Sequence, residues 1–109
     1  VDKNGAFIGG AIAPGIKVAA HNLIEKAALL NETAYIVPES AVGKNTETNL
    51  QSGIMLGAID VVDGMFTRIM GEMNWEKCNM IVTGGFGGLI APHLKTKECQ
   101  TDFIMCPLR

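Results

Sequence analysis

The feature that most constrains this chain is a long helical pattern that is apolar on more than one side. Asn45 or Thr46 is a suitable N-cap, and Glu47 in the first turn favours the helix dipole. The pattern then runs to about Met73. One apolar face carries Leu50, Ile54, Ala58, Val61, Met65 and Ile69, and a second carries Met55, Ile59, Val62, Phe66 and Met70. Because a surface helix needs only one apolar stripe, we expect this helix to pack on more than one partner.

A third strip of the same helix carries glycines. Its members are Gly53, Gly57, Asp60, Gly64 and Gly71, here called the glycine strip. A glycine in a helix interior costs about 1 kcal/mol relative to alanine, so several on one strip make sense where another backbone approaches closely. We therefore expect one side of the helix to pack on a sheet and another on a neighbouring helix from a second subunit. A fully buried helix inside one large domain is the alternative.

The composition also indicates surface that is buried against something else. Apolar residues make up 48% of the 109 residues and charged residues 18%. A membrane span is not expected, because spans need about 18 or more uninterrupted apolar residues and the stretch from Ile54 to Met70 contains Asp60, Asp63 and Arg68. The formal net charge of −2, with no basic run, argues against a nucleic-acid partner. A second domain, a twin subunit or both are the expected partners.

The cysteines favour a cytoplasmic protein, and the start of the chain is typical of a segment from inside a larger one. The first residue is Val1, with no initiator methionine and no signal-peptide character, so we expect the chain to begin inside a larger protein. Cys78, Cys99 and Cys106 are odd in number and lack Cys-x-x-Cys spacing. Reduced thiols are therefore expected, rather than a disulfide framework or a zinc site.

The rest of the chain predicts alternating strands and helices. The predicted elements are a turn at Lys3–Gly5, an extended segment at Ala6–Ile12, a helix from Ile16 to about Leu30 ended by Asn31, a strand at Ala34–Val37, a strand at Cys78–Val82, a helix at Phe86–His93 and a strand at Gln100–Met105. The Asn-Gly turn suggests that Val1 and Asp2 end a preceding strand. This order is typical of an α/β layered fold in one domain over residues 1–109.

Two glycine-rich junctions are candidates for a ligand site. Thr83-Gly84-Gly85 follows a predicted strand and precedes a helix, where a nucleotide can lie against bare backbone and helix N–H groups. A simple turn is the other interpretation, since no dinucleotide fingerprint or Walker loop is present. The segment Gly9–Gly15 brackets a strand-to-helix junction and is either a close approach to a ligand or a tight turn.

The start of the long helix is a third candidate. In Gly43-Lys44-Asn45-Thr46, the Thr46 hydroxyl either caps the helix or reaches a ligand, and on a single sequence capping is the favoured interpretation.

Other residue types give no chemical site. His21 and His93 lack metal-like spacing, and Asp60 and Asp63 lie within the apolar run of the long helix. Phosphoryl transfer needs an acidic group to orient the nucleophile and ligands for magnesium, and no convincing set is present. No catalytic residue and no metal ligand is therefore assigned to this chain.

Three segments together resemble the C-terminal half of type III pantothenate kinases, also described as Bvg accessory factor homologues or transcriptional activators. The segments are GAFIGGAIAPGI (Gly5–Ile16), GKNTETNLQSGIMLG (Gly43–Gly57) and MIVTGGFGGLIAP (Met80–Pro92). Their order and spacing agree with the family, and the resemblance covers nearly the whole chain. The middle segment, Gly-x-Asn-Thr followed by Gln-Ser-Gly, is the most specific.

The resemblance implies a fold, an activity and partners. The fold is an RNase H-like domain of the actin-like ATPase superfamily (acetate and sugar kinases, Hsc70 and actin), incomplete and lacking its first strand, in a two-domain kinase with a nucleotide cleft. The activity is phosphorylation of pantothenate to 4'-phosphopantothenate with ATP, Mg²⁺ and a monovalent cation, K⁺ or NH₄⁺. The protein is expected to be a cytoplasmic homodimer whose long helices meet.

The resemblance also assigns roles to residues. Thr83, Gly84 and Gly85 match the nucleotide-binding motif, and Thr46 matches the threonine that reaches the partner's pantothenate pocket. A structural or pocket-lining role is implied for Gly9, Gly10, Pro14 and Gly15.

The family's phosphate loops, with the catalytic aspartate, and its Gly-x-Asp-Arg substrate segment are absent from this chain. We therefore expect the 109 residues alone to lack kinase activity. The alternatives are a non-catalytic regulatory protein with the same fold, or a sugar or acetate kinase of the superfamily. The Gly43–Thr46 segment argues against a sugar or acetate kinase.

Overall fold

A computed structural model describes residues 1–24, 32–96 and 103–106, with the side chains of 24, 32, 33 and 103–106 left out. Its elements, in chain order, are helix α1 (Ile16–Ile24), a 3₁₀ helix (Glu32–Tyr35), helix α2 (Thr46–Gln51), a π-helical segment (Ser52–Leu56), helix α3 (Gly57–Glu72), strand β1 (Met80–Thr83), helix α4 (Gly87–Ile90), a 3₁₀ helix (Ala91–His93) and strand β2 (Phe103–Cys106). This mixed helix and strand content agrees with the predicted α/β class.

The predicted long helix is confirmed, because α2, the π-helical segment and α3 follow one another from Thr46 to Glu72. Its N-terminus is fixed by a capping box, in which Asn45 Oδ1 accepts from Thr48 N at 2.8 Å and Thr48 Oγ1 accepts from Asn45 N at 3.2 Å.

The other end of the long helix closes with a Schellman motif. Trp75 N donates to Met70 O at 2.9 Å, Asn74 N donates to Gly71 O at 3.3 Å, and Asn74 adopts φ 56°. Local hydrogen bonds therefore define both ends of the helix, close to the predicted bounds.

Strands β1 and β2 form a parallel pair, with Met80 opposite Phe103 and Thr83 opposite Cys106. Both strands were predicted, at slightly different bounds. The predicted helix at Phe86–His93 is present as α4 and the 3₁₀ turn after it. In the predicted helix from Ile16, the described part ends at Ile24. The expected helix end near Asn31, the first residues of the last strand and Cys99 lie outside the described residues.

The predicted strand at Ala34–Val37 is wrong, since the chain forms the 3₁₀ helix Glu32–Tyr35 there. Ala34 is 4% exposed and lies in the core, and Tyr35 and Val37 pack against the same cluster. The short apolar run Ala34–Val37 fits a strand pattern. Packing against the helices nevertheless favours a 3₁₀ turn at its start. Pro38 then lacks the N–H that a strand would need.

The predicted turn at Lys3–Gly5 is confirmed. Gly5 N donates to Asp2 O and Asp2 N donates to Ala6 O, each at 3.0 Å, and Gly5 has φ +79°. This is the geometry of a three-residue hairpin loop with glycine in the left-handed position.

The extended segment predicted after this turn, Ala6–Ile12, contains no strand in the structure. Gly9 adopts φ +133°, outside the range of a regular strand, and the side chains of Phe7 and Ile12 are exposed. Among the described residues no strand pairs with this segment, so its backbone lacks the ladder that would fix it.

The core consists of two adjoining clusters. The first joins Ala20, Ala34, Ile54 and Met55, and the second joins Ile59, Met80 and Leu94, with Val37 and Ile90 packed against both. The long helix crosses both clusters, and its second apolar face meets β1 at Met80. The prediction that one side of this helix packs on a sheet is therefore confirmed.

The glycine strip of the long helix is uncovered in the described part of the chain. A Cβ added at Gly53, Gly57, Gly64 or Gly71 would meet no atom within 4 Å. Beside the strip, Val61 is 52% exposed. Whether a second subunit or the rest of a larger domain covers the strip stays a prediction. Across the described ranges, no helix combines the length and apolarity that crossing a membrane requires.

Candidate functional site

The Thr83-Gly84-Gly85 turn, here called the nucleotide turn after the role that the sequence resemblance predicts for it, begins at the last residue of β1. Gly84 adopts φ +110°, which side chains rarely tolerate, and Gly87 N donates to Gly84 O at 3.2 Å to close the turn. A Cβ at Gly84 or Gly85 would meet nothing within 4 Å, and Thr83 is exposed. The turn therefore presents bare backbone to open space, with no side chain of the described residues filling it.

Packing fixes the chain directly behind the turn. The Phe86 ring lies 5.3 Å from the Tyr35 ring, centroid to centroid. Gly87 is buried, and a Cβ there would stand 3.1 Å from Val82 Cγ1. The glycine at 87 thus allows the start of α4 to approach β1 closely. Sequence reasoning missed the support from Tyr35 because it predicted a strand at that position.

The far end of the α4 segment is held by Asp63 of the long helix. Asp63 Oδ2 accepts from Lys95 N at 3.0 Å, and Asp63 Oδ1 accepts from Thr96 N at 3.1 Å and from Thr96 Oγ1 at 2.8 Å. Burial alone would raise the pKa of the Asp63 carboxyl, but these hydrogen bonds and the nearby Lys95 charge lower the pKa below its ordinary value. The sequence signal was an acidic residue within an apolar run, which did not identify its partners.

Thr46 is the first residue of α2 and is exposed. The favoured interpretation of Thr46 as the helix cap is wrong, because Asn45 is the N-cap and Thr48 completes the box. The Thr46 hydroxyl is not needed to satisfy the helix N-terminus. It is therefore available to a ligand at this end of the helix.

The loop before Thr46 is folded tightly onto the helix. A Cβ at Gly43 would lie 2.6 Å from Asn49 N and 2.8 Å from Asn49 Cα, so the backbone could not stay where it is. Lys44 N donates to Thr48 Oγ1 at 2.9 Å, and Ser52 Oγ donates to Ala41 O at 2.5 Å. These contacts hold the loop in one position relative to the helix start.

The two predicted sites lie on different elements. Thr83, Gly84 and Gly85 are consecutive at the end of β1, whereas Thr46 begins the long helix, and no hydrogen bond recorded for the described residues joins them. A groove of about 910 Å³ lies elsewhere, between Val1, Phe66, Trp75 and Ile81 among others, and includes none of the predicted site residues. The predicted nucleotide role of the turn therefore stays a prediction that does not involve this groove.

The described residues form no cluster of metal ligands, and the glycine-rich junction Gly9–Gly15 is exposed and forms no site with them. Within residues 1–24, 32–96 and 103–106, no group of three or more His, Cys, Asp or Glu residues could hold a metal ion. The described residues therefore supply no such cluster for the expected Mg²⁺, and no step through a metal follows from them. Gly9, Gly10, Pro14 and Gly15 are all exposed, and their implied pocket-lining role stays a prediction.

The sequence of this chain matches one family of known proteins. A family model described as type III pantothenate kinase matches residues 1–68. Proteins named type III pantothenate kinase are 43% identical in Geotalea daltonii over 95% of this chain, 47% identical in Thermomicrobium roseum over 84%, and 42% identical in Moorella thermoacetica over 86%. These matches cover 40%, 35% and 37% of the three relatives, so the chain spans well under half of their length.

Proposed function

Since the chain belongs to the type III pantothenate kinase family, a family of the actin-like ATPase superfamily, we propose that it is part of an ATP-dependent kinase. The kinase phosphorylates pantothenate to 4'-phosphopantothenate, the first step of coenzyme A biosynthesis. The activity belongs to a protein that carries this chain at the length of its relatives, called the full-length protein below. The observation that carries the proposal is similarity to proteins of this name over 95% of the chain.

Thr83, Gly84 and Gly85 are the proposed nucleotide-binding residues. The open backbone at Gly84 and Gly85 supports this role, because a nucleotide can approach main-chain N–H groups where no Cβ stands in the way. The brace between Phe86 and Tyr35 would keep the turn preorganised, so that little ordering is needed on binding.

Thr46 is the proposed pantothenate-binding residue, and its hydroxyl would reach into the pantothenate pocket of a partner subunit. An exposed hydroxyl that the capping box leaves unused supports this role. The tight loop around Gly43 would hold Thr46 at a fixed distance from the helix, as contact across an interface requires.

Residues 1–109 are proposed to be the C-terminal RNase H-like domain of a two-domain kinase that dimerises through the long helix. The uncovered glycine strip supports the dimer, because small residues let two helix backbones approach closely. Val61 and Met65 lie next to the strip with exposed apolar surface that a second helix would bury.

The proposal extends to location and ions. A cytoplasmic enzyme is expected, in keeping with its place in coenzyme A synthesis. The Mg²⁺ and the K⁺ or NH₄⁺ that the family resemblance implies would be held by residues other than the described ones, which offer no ligand cluster.

A coupled assay tests the function directly. The full-length protein is incubated with ATP, Mg²⁺ and pantothenate, and 4'-phosphopantothenate is measured, with the 109 residues alone as the comparison. Turnover that depends on pantothenate, and its absence from the 109 residues, is the expected result. A full-length protein that binds ATP without phosphorylating pantothenate would instead favour the non-catalytic regulatory protein, and turnover of a sugar or acetate only would favour another kinase of the superfamily.

A further inference from the structure

The carboxylate of Asp63 joins two distant parts of the chain. Its two oxygens accept three hydrogen bonds from Lys95 and Thr96, which are 32 and 33 residues away in sequence. Hydrogen bonds to an ionised carboxylate are about twice as strong as neutral ones. Residues 95 and 96 are thus fixed on α3 at a point where Thr96 is itself buried.

The segment held by Asp63 is the far end of the element that starts behind the nucleotide turn. The chain passes from Gly85 through α4 and the 3₁₀ helix Ala91–His93 to Leu94, which is 1% exposed. Leu94 packs with Ile59, one helical turn before Asp63. The segment 94–96 is therefore held on α3 in two ways, by apolar packing of Leu94 and by the hydrogen bonds to Asp63.

The near end of this element is fixed on β1. Gly87 lies close to Val82, and the turn itself begins at the last residue of the same strand. The path of residues 84–86 is consequently set by three anchors, which are β1, the Tyr35 ring against Phe86, and, through α4, the long helix at Asp63. Loss of the Asp63 hydrogen bonds would weaken the third anchor, so that α4 and the turn before it could shift.

We propose that Asp63 is a positioning residue for nucleotide binding, which holds the nucleotide turn in its open form through Lys95, Thr96 and α4. This inference rests on the proposed nucleotide role of Thr83, Gly84 and Gly85. Asp63 makes no hydrogen bond to the turn among the described residues, so it acts through the 94–96 segment and touches no reacting atom.

The first test is Asp63→Asn in the full-length protein, with Glu72→Gln as the matched control. An asparagine carbonyl accepts hydrogen bonds but its amide nitrogen does not, so at least one of the three bonds is lost. Glu72 is an exposed carboxylate on the same helix, outside the glycine strip. Binding of a non-hydrolysable ATP analogue is measured by calorimetry, well below the unfolding midpoint of each variant.

The expected result is a dissociation constant for the analogue that rises roughly five- to tenfold in Asp63→Asn and is unchanged in Glu72→Gln. The KM for ATP should rise by a similar factor, with the KM for pantothenate unchanged. If Asp63 had only a structural role, Asp63→Asn would lower the unfolding midpoint without raising the KM for ATP selectively over the KM for pantothenate.

A second variant tests the path through Thr96. Thr96→Val removes the hydroxyl donor and keeps the backbone N–H. If Asp63 acts through this contact, the double variant should weaken binding by less than the product of the two single effects. Independent, multiplicative effects would overturn the proposed path.

The results separate this inference from the proposed function. Unchanged analogue affinity in Asp63→Asn overturns the inference, even where the full-length protein phosphorylates pantothenate. Weakened affinity in a protein that phosphorylates no pantothenate supports the inference and rejects the kinase activity. A full-length protein that binds no adenine nucleotide would overturn both.

Discussion

The ring of Tyr35 lies against the ring of Phe86, with 5.3 Å between centroids and 47° between the ring planes. Tyr35 ends a 3₁₀ helix and packs on the first core cluster, whereas Phe86 directly follows Gly85. Aromatic pairs at this distance contribute about 0.5–1.5 kcal/mol beyond their buried area. The pair therefore connects the core to the proposed nucleotide turn.

Replacing Tyr35 with leucine is expected to loosen the turn, because the ring contact with Phe86 is lost while apolar bulk is kept. The free energy of unfolding of the full-length protein should fall by about 1 kcal/mol, and the KM for ATP should rise. Urea unfolding and steady-state kinetics measure the two effects. Tyr35→Phe keeps the ring and should behave as the unmodified protein; a loss as large as that of the leucine variant would show that ring contact is not the cause.

A side chain at Gly85 is expected to block nucleotide binding without unfolding the protein. The space beside Gly85 is open and its φ is not in the left-handed region, so Gly85→Leu costs little in folding but fills the proposed nucleotide space. ATP affinity should drop at least about tenfold, a change of about 1.4 kcal/mol. Gly88→Leu is the matched control, since Gly88 is equally open but lies within α4. Equal affinity in both variants would place the nucleotide elsewhere.

The long helix was predictable because its signals are local. Asn45 and Thr48 form the capping box within one turn, and the apolar spacing repeats without interruption to the end near Met73. The pattern also predicted two apolar faces, and the structure buries Ile54 of the first and Met55 and Ile59 of the second. Periodicity and caps depend only on neighbours along the chain, so they can be read from a single sequence.

The features that were missed depend on contacts between distant segments. Ala34–Val37 has a short apolar pattern that fits a strand, but the position of Ala34 against Ile54 and Met55 decides for a helical turn. The Asp63 contact with Thr96 spans 33 residues and leaves no spacing signal. For the same reason the open turn at Gly84 could be suspected from its glycines, while its support by Tyr35 could not.

Adding a single methyl group at Gly43 is expected to be costly. An alanine Cβ would stand 2.6 Å from the backbone nitrogen of Asn49, so the loop must move away from the helix start. The expected loss is about 1–3 kcal/mol of unfolding free energy, together with a higher KM for pantothenate because Thr46 moves with the loop. Gly88→Ala, at an open helical position, should leave stability unchanged or slightly higher. A neutral Gly43→Ala would show that the loop is not fixed there.

A bulky residue on the glycine strip is expected to weaken dimerisation. Gly57→Leu fills the open space where a second helix is proposed to approach, and should shift the full-length protein toward monomer in sedimentation velocity. Glu72→Leu introduces the same side chain at an exposed position outside the strip and should leave the association unchanged. A Gly57→Leu protein that sediments as the unmodified dimer would remove the strip from the interface.

The charge of Asp63 should make the stability of the protein depend on pH. The pKa of Asp63 in the folded chain lies below its ordinary value of about 3.9, because hydrogen bonds from Lys95 and Thr96 outweigh the effect of burial. The ionised carboxylate therefore contributes stability above about pH 4, and this contribution is lost as the pH falls through the folded pKa.

Asp63→Asn tests that dependence. Near pH 7, the substitution should lower the free energy of unfolding by about 1.5–3 kcal/mol, the range for a hydrogen bond to a charged group. The difference from the unmodified protein should shrink below about pH 4, where Asp63 of the unfolded chain takes up a proton before Asp63 of the folded chain does. Urea unfolding of both proteins across this range, with Glu72→Gln as control, measures it. A difference that stays constant with pH would mean that shape, rather than charge, holds residues 95 and 96 on the long helix.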